Sequence, residues 1–219
     1  MLAAITPDTH LVYLANPNNP TGTYVSAAML EAFISRVPAH VVVVLDEAYN
    51  EYLAPEFKMD SIAWVRRFPN LIVSRTFSKA YGLAGLRIGY GVAQPAVTDV
   101  LNRIRQPFNV NSLGQAAAVA ALHDEGFLRR SWELNRTGYA QLTAAFDALG
   151  LGYIPSYGNF VLVKIADAAA VNLALLKRGI IVRPVANYGL PEWLRISIGL
   201  ESENAAFIEA LRAILAPAR

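Results

Sequence analysis

The chain contains no cysteine in its 219 residues. A disulfide scaffold and any thiolate metal site are thereby excluded, and a reducing compartment such as the cytoplasm is the fitting environment. Its three histidines, His10, His40 and His123, are too scattered for metal-ligand spacing, so no metal is expected. Charge of one sign is equally scarce. The 19 basic and 17 acidic residues leave a net +2, and no basic stripe interleaved with aromatics offers a nucleic-acid surface. Long hydrophobic runs are missing as well: residues 41–45 and 116–122 are the longest, far short of a membrane span. The first residues carry no basic segment followed by an apolar one, hence no visible signal peptide. What remains is 54% apolar and 16% charged, the composition of a well-buried globular chain. Its length suits one large or two small domains.

Against that background one stretch stands out, Arg75-Thr76-Phe77-Ser78-Lys79-Ala80-Tyr81-Gly82-Leu83-Ala84-Gly85-Leu86-Arg87. A single lysine follows small hydroxyl residues at the end of an apolar run, Leu71-Ile72-Val73. A glycine-rich segment and Arg87 come next. An amine nucleophile among hydroxyls and near a guanidinium suits one chemistry: a Schiff base with an aldehyde cofactor, whose phosphate the hydroxyls and the arginine hold. A lone lysine at a strand end is ordinarily a solvated charge. Two further stretches change that reading: Asn16-Pro17-Asn18-Asn19-Pro20-Thr21-Gly22 and Asp46-Glu47-Ala48-Tyr49.

Taken in order, Leu11–Ala15 reads as a buried strand, and the heptad from Asn16 as a turn of fixed backbone. Ser26 is an N-cap for a helix over residues 27–37, ended by Pro38. Residues 41–45 form a continuous apolar strand of the parallel, doubly covered kind. That strand delivers Asp46 at its C-terminal end, where open α/β sheets bind ligands. A short helix over 61–68 and strands over 71–75 and 86–92 come after it. Strand and helix thus alternate as in a parallel α/β sheet. Helices are expected over 98–104, 112–123 and, longest, 124–149, where Gly150 and Gly152 stop the helix. Strands over 159–165, 180–183 and 193–198, with helices over 168–178 and 202–215, complete the chain. The expected domains are residues 1–124 and 125–219, the second opening with a bridging helix.

With the heptad, the Asp-Glu-Ala-Tyr segment and the Ser-Lys segment in this order, the chain resembles the fold-type I, class I/II pyridoxal-phosphate (PLP) aminotransferases. Within that group it is most similar to the histidinol-phosphate aminotransferases. The resemblance implies an aspartate aminotransferase-like α/β large domain with a mainly parallel sheet, plus a small α+β C-terminal domain. It implies PLP bound through Lys79, with Asp46 on the pyridine nitrogen. Asn19 and Tyr49 would sit on the ring oxygen, and Thr76, Ser78 and Arg87 on the phosphate. Lys79, Asp46 and Tyr49 would carry the chemistry. Arg195, mid-strand in Trp193-Leu194-Arg195-Ile196, would clamp a substrate carboxylate, since a buried arginine wants an anion. Arg183 would help bind a substrate phosphate. Asn111, in Pro107-Phe108-Asn109-Val110-Asn111, reads evenly as a substrate contact or a helix cap.

The implied reaction is amino transfer between histidinol phosphate and 2-oxoglutarate, in histidine biosynthesis, by a cytoplasmic homodimer. The alternatives are an aromatic-amino-acid aminotransferase, a threonine-phosphate decarboxylase, or an inactive fragment of such an enzyme. Family members usually carry a further long stretch before the heptad, so the large domain is expected to be incomplete on its N-terminal side. A sheet lacking flanking strands would leave backbone edges and apolar faces exposed, favouring association.

Overall fold

A computed structural model describes residues 1–216. They divide into two compact units, one of Met1–Pro17 and Tyr24–Arg129, the other of Asn18–Thr23 and the chain from Arg130 onward. The expected boundary at residues 124/125 is thus shifted into the long helix, and Asn18–Thr23 leaves the first unit for the second.

The first unit is built on a four-stranded sheet in the order β1 (Leu11–Ala15), β2 (Val42–Asp46), β3 (Leu71–Thr76), β4 (Gly89–Val92). β1, β2 and β3 are parallel. Helix α1 (Ala27–Ile34), capped by Ser26 Oγ, and α2 (Ser61–Arg67), capped by Asp60, provide their crossovers. Side chains alternate along a strand, and one face of this sheet makes the core. Val43, Leu45, Leu71 and Val73 pack there with Leu30, Ile34, Trp64 and Val65, while Val12, Leu14 and Val92 close its margins.

β4 departs from the expected parallel order. It runs antiparallel to β3, with Arg75 opposite Tyr90 and Thr76 opposite Gly89. The connection over residues 77–88 holds only a short 3-10 turn, Ala84–Leu86, too little to carry the chain back for a parallel strand. A Cβ on Gly89 would lie 2.7 Å from the Arg75 carbonyl oxygen, so the close return of β4 excludes any larger residue. β1 also departs from its reading as a buried strand. Leu11 and Tyr13 are 47% and 67% exposed, because β1 lies at a sheet edge and only the Val12–Leu14 side meets the core. Helices α3 (Pro95–Ile104) and α4 (Ser112–Leu122) come next, and α5 (Glu125–Ala148) leads out of this unit.

The second unit holds most of α5 and an antiparallel sheet. Its strand order is β5 (Tyr153–Ile154), β6 (Phe160–Lys164), β8 (Trp193–Ser197), β7 (Arg183–Pro184). Helices α6 (Ala168–Leu176) and α7 (Glu201–Leu215) join α5 over one face of it. Leu142 and Phe146 of α5 pack on Val161 and Val163 of β6, Leu194 and Ile196 of β8, and Leu175 and Leu211. β5 was not anticipated from sequence, and β7 is two residues where four were expected. Among the described residues no helix is long and apolar enough to cross a membrane.

The exposed side of β1 makes a prediction about association. Tyr13→Lys places a charge on an edge strand, which disfavours strand addition. The substitution should reduce self-association in sedimentation velocity while changing unfolding stability by less than about 0.5 kcal/mol. Unchanged association would show that this edge is not the contact.

Candidate functional site in the parallel sheet and the second-unit arginines

The register of β2 and β3 places Asp46 beside Ser74 at the C-terminal ends of both strands. Asp46 is half-buried, and its Oδ1 accepts a hydrogen bond from Ala48 N at 3.0 Å. That bond aligns the carboxylate while leaving its second oxygen for a ligand. The chain then turns, and Tyr49 enters the protein at 5% exposure. Lys79 Nζ stands 5.5 Å from the centroid of the Tyr49 ring, so the amine and the phenol come together across thirty positions of sequence.

The turn after β3 gathers the rest. Thr76 Oγ1 accepts from Ser78 N at 3.0 Å, which folds the hydroxyls and the following lysine onto the strand end. Arg87 has φ 53°, and its Nη1 donates to Ala84 O at 3.0 Å and to Ser78 Oγ at 3.4 Å. Lys79 and Arg87 are exposed. The first unit therefore presents, at one end of the sheet, a carboxylate, a phenol, an amine, two hydroxyls and a guanidinium. An aromatic-aldehyde phosphate needs these groups at its ring nitrogen, ring oxygen, aldehyde carbon and phosphate.

In the second unit Asn19 Oδ1 accepts a hydrogen bond from Arg195 Nη1. Arg195 pairs in register with Arg183 on the neighbouring strand, so the two guanidiniums share a sheet face, opposite the core side of Leu194 and Ile196. The Arg195 guanidinium carbon lies 4.9 Å over the Phe160 ring. Arg195 is half-buried and Arg183 exposed. Two cations on one face suit a carboxylate or a phosphate. Gly22 belongs to this unit too. At φ 74°, an added Cβ would meet Ser156 Oγ at 2.1 Å, which no side chain tolerates.

Asn111 is committed to the fold at both ends of its amide. Oδ1 accepts from Gly114 N at 2.7 Å, capping α4, and Nδ2 donates to Leu86 O at 3.1 Å. Of its two sequence readings the structure displays the cap. Phe108, in the same run, is 97% exposed.

Sequence reasoning missed three residues. Asn16, 2% exposed, closes the loop after β1 by a two-way bond with Val25: Nδ2 to Val25 O at 2.9 Å, and Val25 N to Oδ1 at 2.8 Å. Glu47 and Arg75 form a buried ion pair, Nε and Nη2 both reaching Oε2 at 2.9 and 2.8 Å. Their neighbours within the motifs, Asp46 and Thr76, had absorbed the functional reading. Burial works against the Arg75 charge, but the attraction of Glu47 and its hydrogen bond outweigh it and push the guanidinium above its ordinary value. Breaking such a pair on one side costs about 3–5 kcal/mol.

Comparison with known proteins bears out the family resemblance. The model of the family described as aminotransferase class I and II matches residues 1–211. The chain belongs to this family. It is 71% identical to histidinol-phosphate aminotransferase 2 of Ralstonia nicotianae and 69% identical to histidinol-phosphate aminotransferase 1 of Cupriavidus pinatubonensis. The alignments cover 100% and 98% of this chain but 59% and 58% of those proteins, so the chain spans about three-fifths of the length of these curated relatives. The crystal structure of histidinol-phosphate aminotransferase from Sinorhizobium meliloti, in complex with pyridoxal-5'-phosphate, superposes with a TM-score of 0.84 at 36% identity. That match covers 94% of this chain and 58% of the other.

Glu51, close to the Glu47–Arg75 pair, makes a prediction about pH. Burial raises its pKa above the ordinary 4.5; the positive charge of Arg75 opposes this and the negative charge of Glu47 adds to it. Burial and the Glu51 charge together push Tyr81 up to about 12. Because the folded pKa of Glu51 exceeds the unfolded one, its favourable contribution is complete below pH 4.5 and disappears as pH rises through the raised value. Glu51→Gln is uncharged throughout. It should raise the thermal midpoint at about pH 8 and leave it nearly unchanged at about pH 4. A gain confined to low pH would contradict the assignment.

Proposed function

We propose that the chain serves PLP-dependent amino transfer between L-histidinol phosphate and 2-oxoglutarate, giving imidazole-acetol phosphate and glutamate, in histidine biosynthesis. The observation that carries this is the placement of Lys79 Nζ over Tyr49, at the strand ends that bear Asp46 and Thr76. The names and identities of the relatives support the substrate pair, and the PLP complex of the S. meliloti protein supports the cofactor. The residues present fit that cofactor: an exposed amine, an acidic partner for a ring nitrogen, and hydroxyls with a guanidinium for a phosphate. The same reading takes the assembly as a homodimer and the compartment as the cytoplasm.

When bound, PLP supplies an electron sink for negative charge at the substrate's Cα. The protein's residues do the rest. Lys79 Nζ would hold the aldehyde carbon, and its amine would serve as the base that moves the substrate's Cα proton. Asp46, at the end of β2, would pair with the pyridine nitrogen. Tyr49 donates its phenolic proton toward the ring oxygen, and Asn19 is assigned to that oxygen too. Thr76, Ser78 and Arg87 fix the phosphate, Arg87 being held toward Ser78 already. Arg195 takes the glutamate carboxylate, and with Arg183 the substrate phosphate. Asn111, which caps α4, is also assigned to the substrate.

Two substitutions test this. Lys79→Ala should lower glutamate formation from 2-oxoglutarate and histidinol phosphate by at least about a thousandfold. Retained turnover would remove Lys79 from the chemistry, and faster turnover of an aromatic amino acid than of histidinol phosphate would overturn the substrate. Arg195→Lys should raise the KM for 2-oxoglutarate by about tenfold, because an ammonium cannot make the two-pronged contact. An unchanged KM would place the carboxylate elsewhere.

A further inference from the structure

Two residues inside the motifs have no part in the cofactor reading: Glu47, directly after Asp46, and Arg75, directly before Thr76. Among the described residues theirs is the most buried ion pair, with side-chain exposures of 1% and 17%. Tyr90 is the register partner of Arg75 on β4. The ion pair therefore joins the end of β2 to β3. By strand alternation it lies on the face opposite Asp46 and Thr76.

Its position along the strands matters more than its strength. The β2–β3 ladder ends at the pair Asp46–Ser74, and one further backbone bond lies beyond it, Glu47 N to Ser74 O at 2.9 Å. Strand ends beyond a ladder fray. Yet the groups assigned to the two ends of a rigid ligand sit here, Asp46 on one strand and Thr76, Ser78 and Lys79 on the other. The Glu47–Arg75 pair ties the strands together where the ladder stops. Stability alone accounts for it poorly, since apolar residues of similar volume commonly replace a buried ion pair at no loss. Glu47 Oε1, buried without a hydrogen-bond partner, makes the pair still less favourable as a pure stability device.

We propose that Glu47 and Arg75 are positioning residues, whose ion pair fixes the spacing between the Asp46 strand end and the Thr76–Lys79 turn so that both ends of the cofactor are held at once. This rests on the cradle reading given above.

Amide hydrogen exchange on the chain without cofactor tests the spacing directly. The Ala48 and Ser78 amides report the two sides of the cradle through their bonds to Asp46 Oδ1 and Thr76 Oγ1. In E47M/R75M their exchange should accelerate by about tenfold or more, while Val43 and Val73 in the core strands stay within about twofold. E47Q, which retains an oxygen to accept from Arg75, should keep the cradle amides within about threefold of the parent chain. A uniform change at all four amides, or none, overturns the proposal. If E47M/R75M does not fold, E47A against E47Q makes the same comparison.

A second readout uses PLP itself, trapped on Lys79 with borohydride. The half-saturating PLP concentration should rise about tenfold in E47M/R75M, and an unchanged value contradicts the positioning role. Absence of labelling in the unsubstituted chain would instead count against the cradle reading, and the exchange data would still decide the positioning.

Discussion

The parallel pairing of β2 with β3 is the constraint on which the rest of the first unit depends. It brings two strands to an end at the same level, with Asp46 beside Ser74, and so sets a carboxylate next to the start of the turn that holds Thr76, Ser78 and Lys79. Parallel strands require a crossover, and α2 supplies it between them. The link from β3 to β4 has no such helix. This short connection over residues 77–88, which carries Lys79 and Arg87, returns antiparallel. The tightness of that return is visible at Gly89, where an added Cβ would lie 2.7 Å from the Arg75 carbonyl oxygen.

The electrostatics obey the same geometry. Asp46 and Thr76 lie half-buried at the ends of their strands, where water still solvates them. The groups on the other face are buried: Glu47 and Arg75 neutralise each other, while Glu51 is held close to them with its pKa raised by burial. The second unit offers a different arrangement. Arg183 and Arg195 stand as cross-strand neighbours on an antiparallel sheet, with an aromatic ring beneath Arg195 and Asn19 accepting from its edge. One unit thus gathers an amine, a carboxylate, hydroxyls and a guanidinium near its strand ends, and the other sets two guanidiniums on one sheet face.

Much of this was legible in the sequence because apolar periodicity and turn residues mark strand and helix ends. The run over residues 41–45 announced a buried strand, and Asp46 stands at its C-terminal end. Lys79, Ser78 and Arg87 were legible as a group through their spacing. The direction of β4 was not legible, since an apolar run carries no sign of its partner's orientation; the length of the connection does. The exposure of β1 was hidden for a similar reason: Leu11 and Tyr13 read as core residues when composition alone is considered, although an edge strand buries only one side. Glu47 and Arg75 were invisible as a pair because their 28-position separation becomes a contact only through the β2–β3 register. Asn111 looked equally like a ligand group and a cap, and only the position of Gly114 N distinguishes them.

The most direct measurement of the central claim is the absorbance spectrum of the purified protein with added PLP, before and after borohydride, followed by peptide mapping. A yellow, reducible species that maps to Lys79 alone is the predicted result. It would show that the amine at the end of β3 is the covalent anchor of the cofactor. Labelling distributed over other lysines, with Lys79 unmodified, would contradict it, because the strand-end arrangement would then not select the amine it is built around.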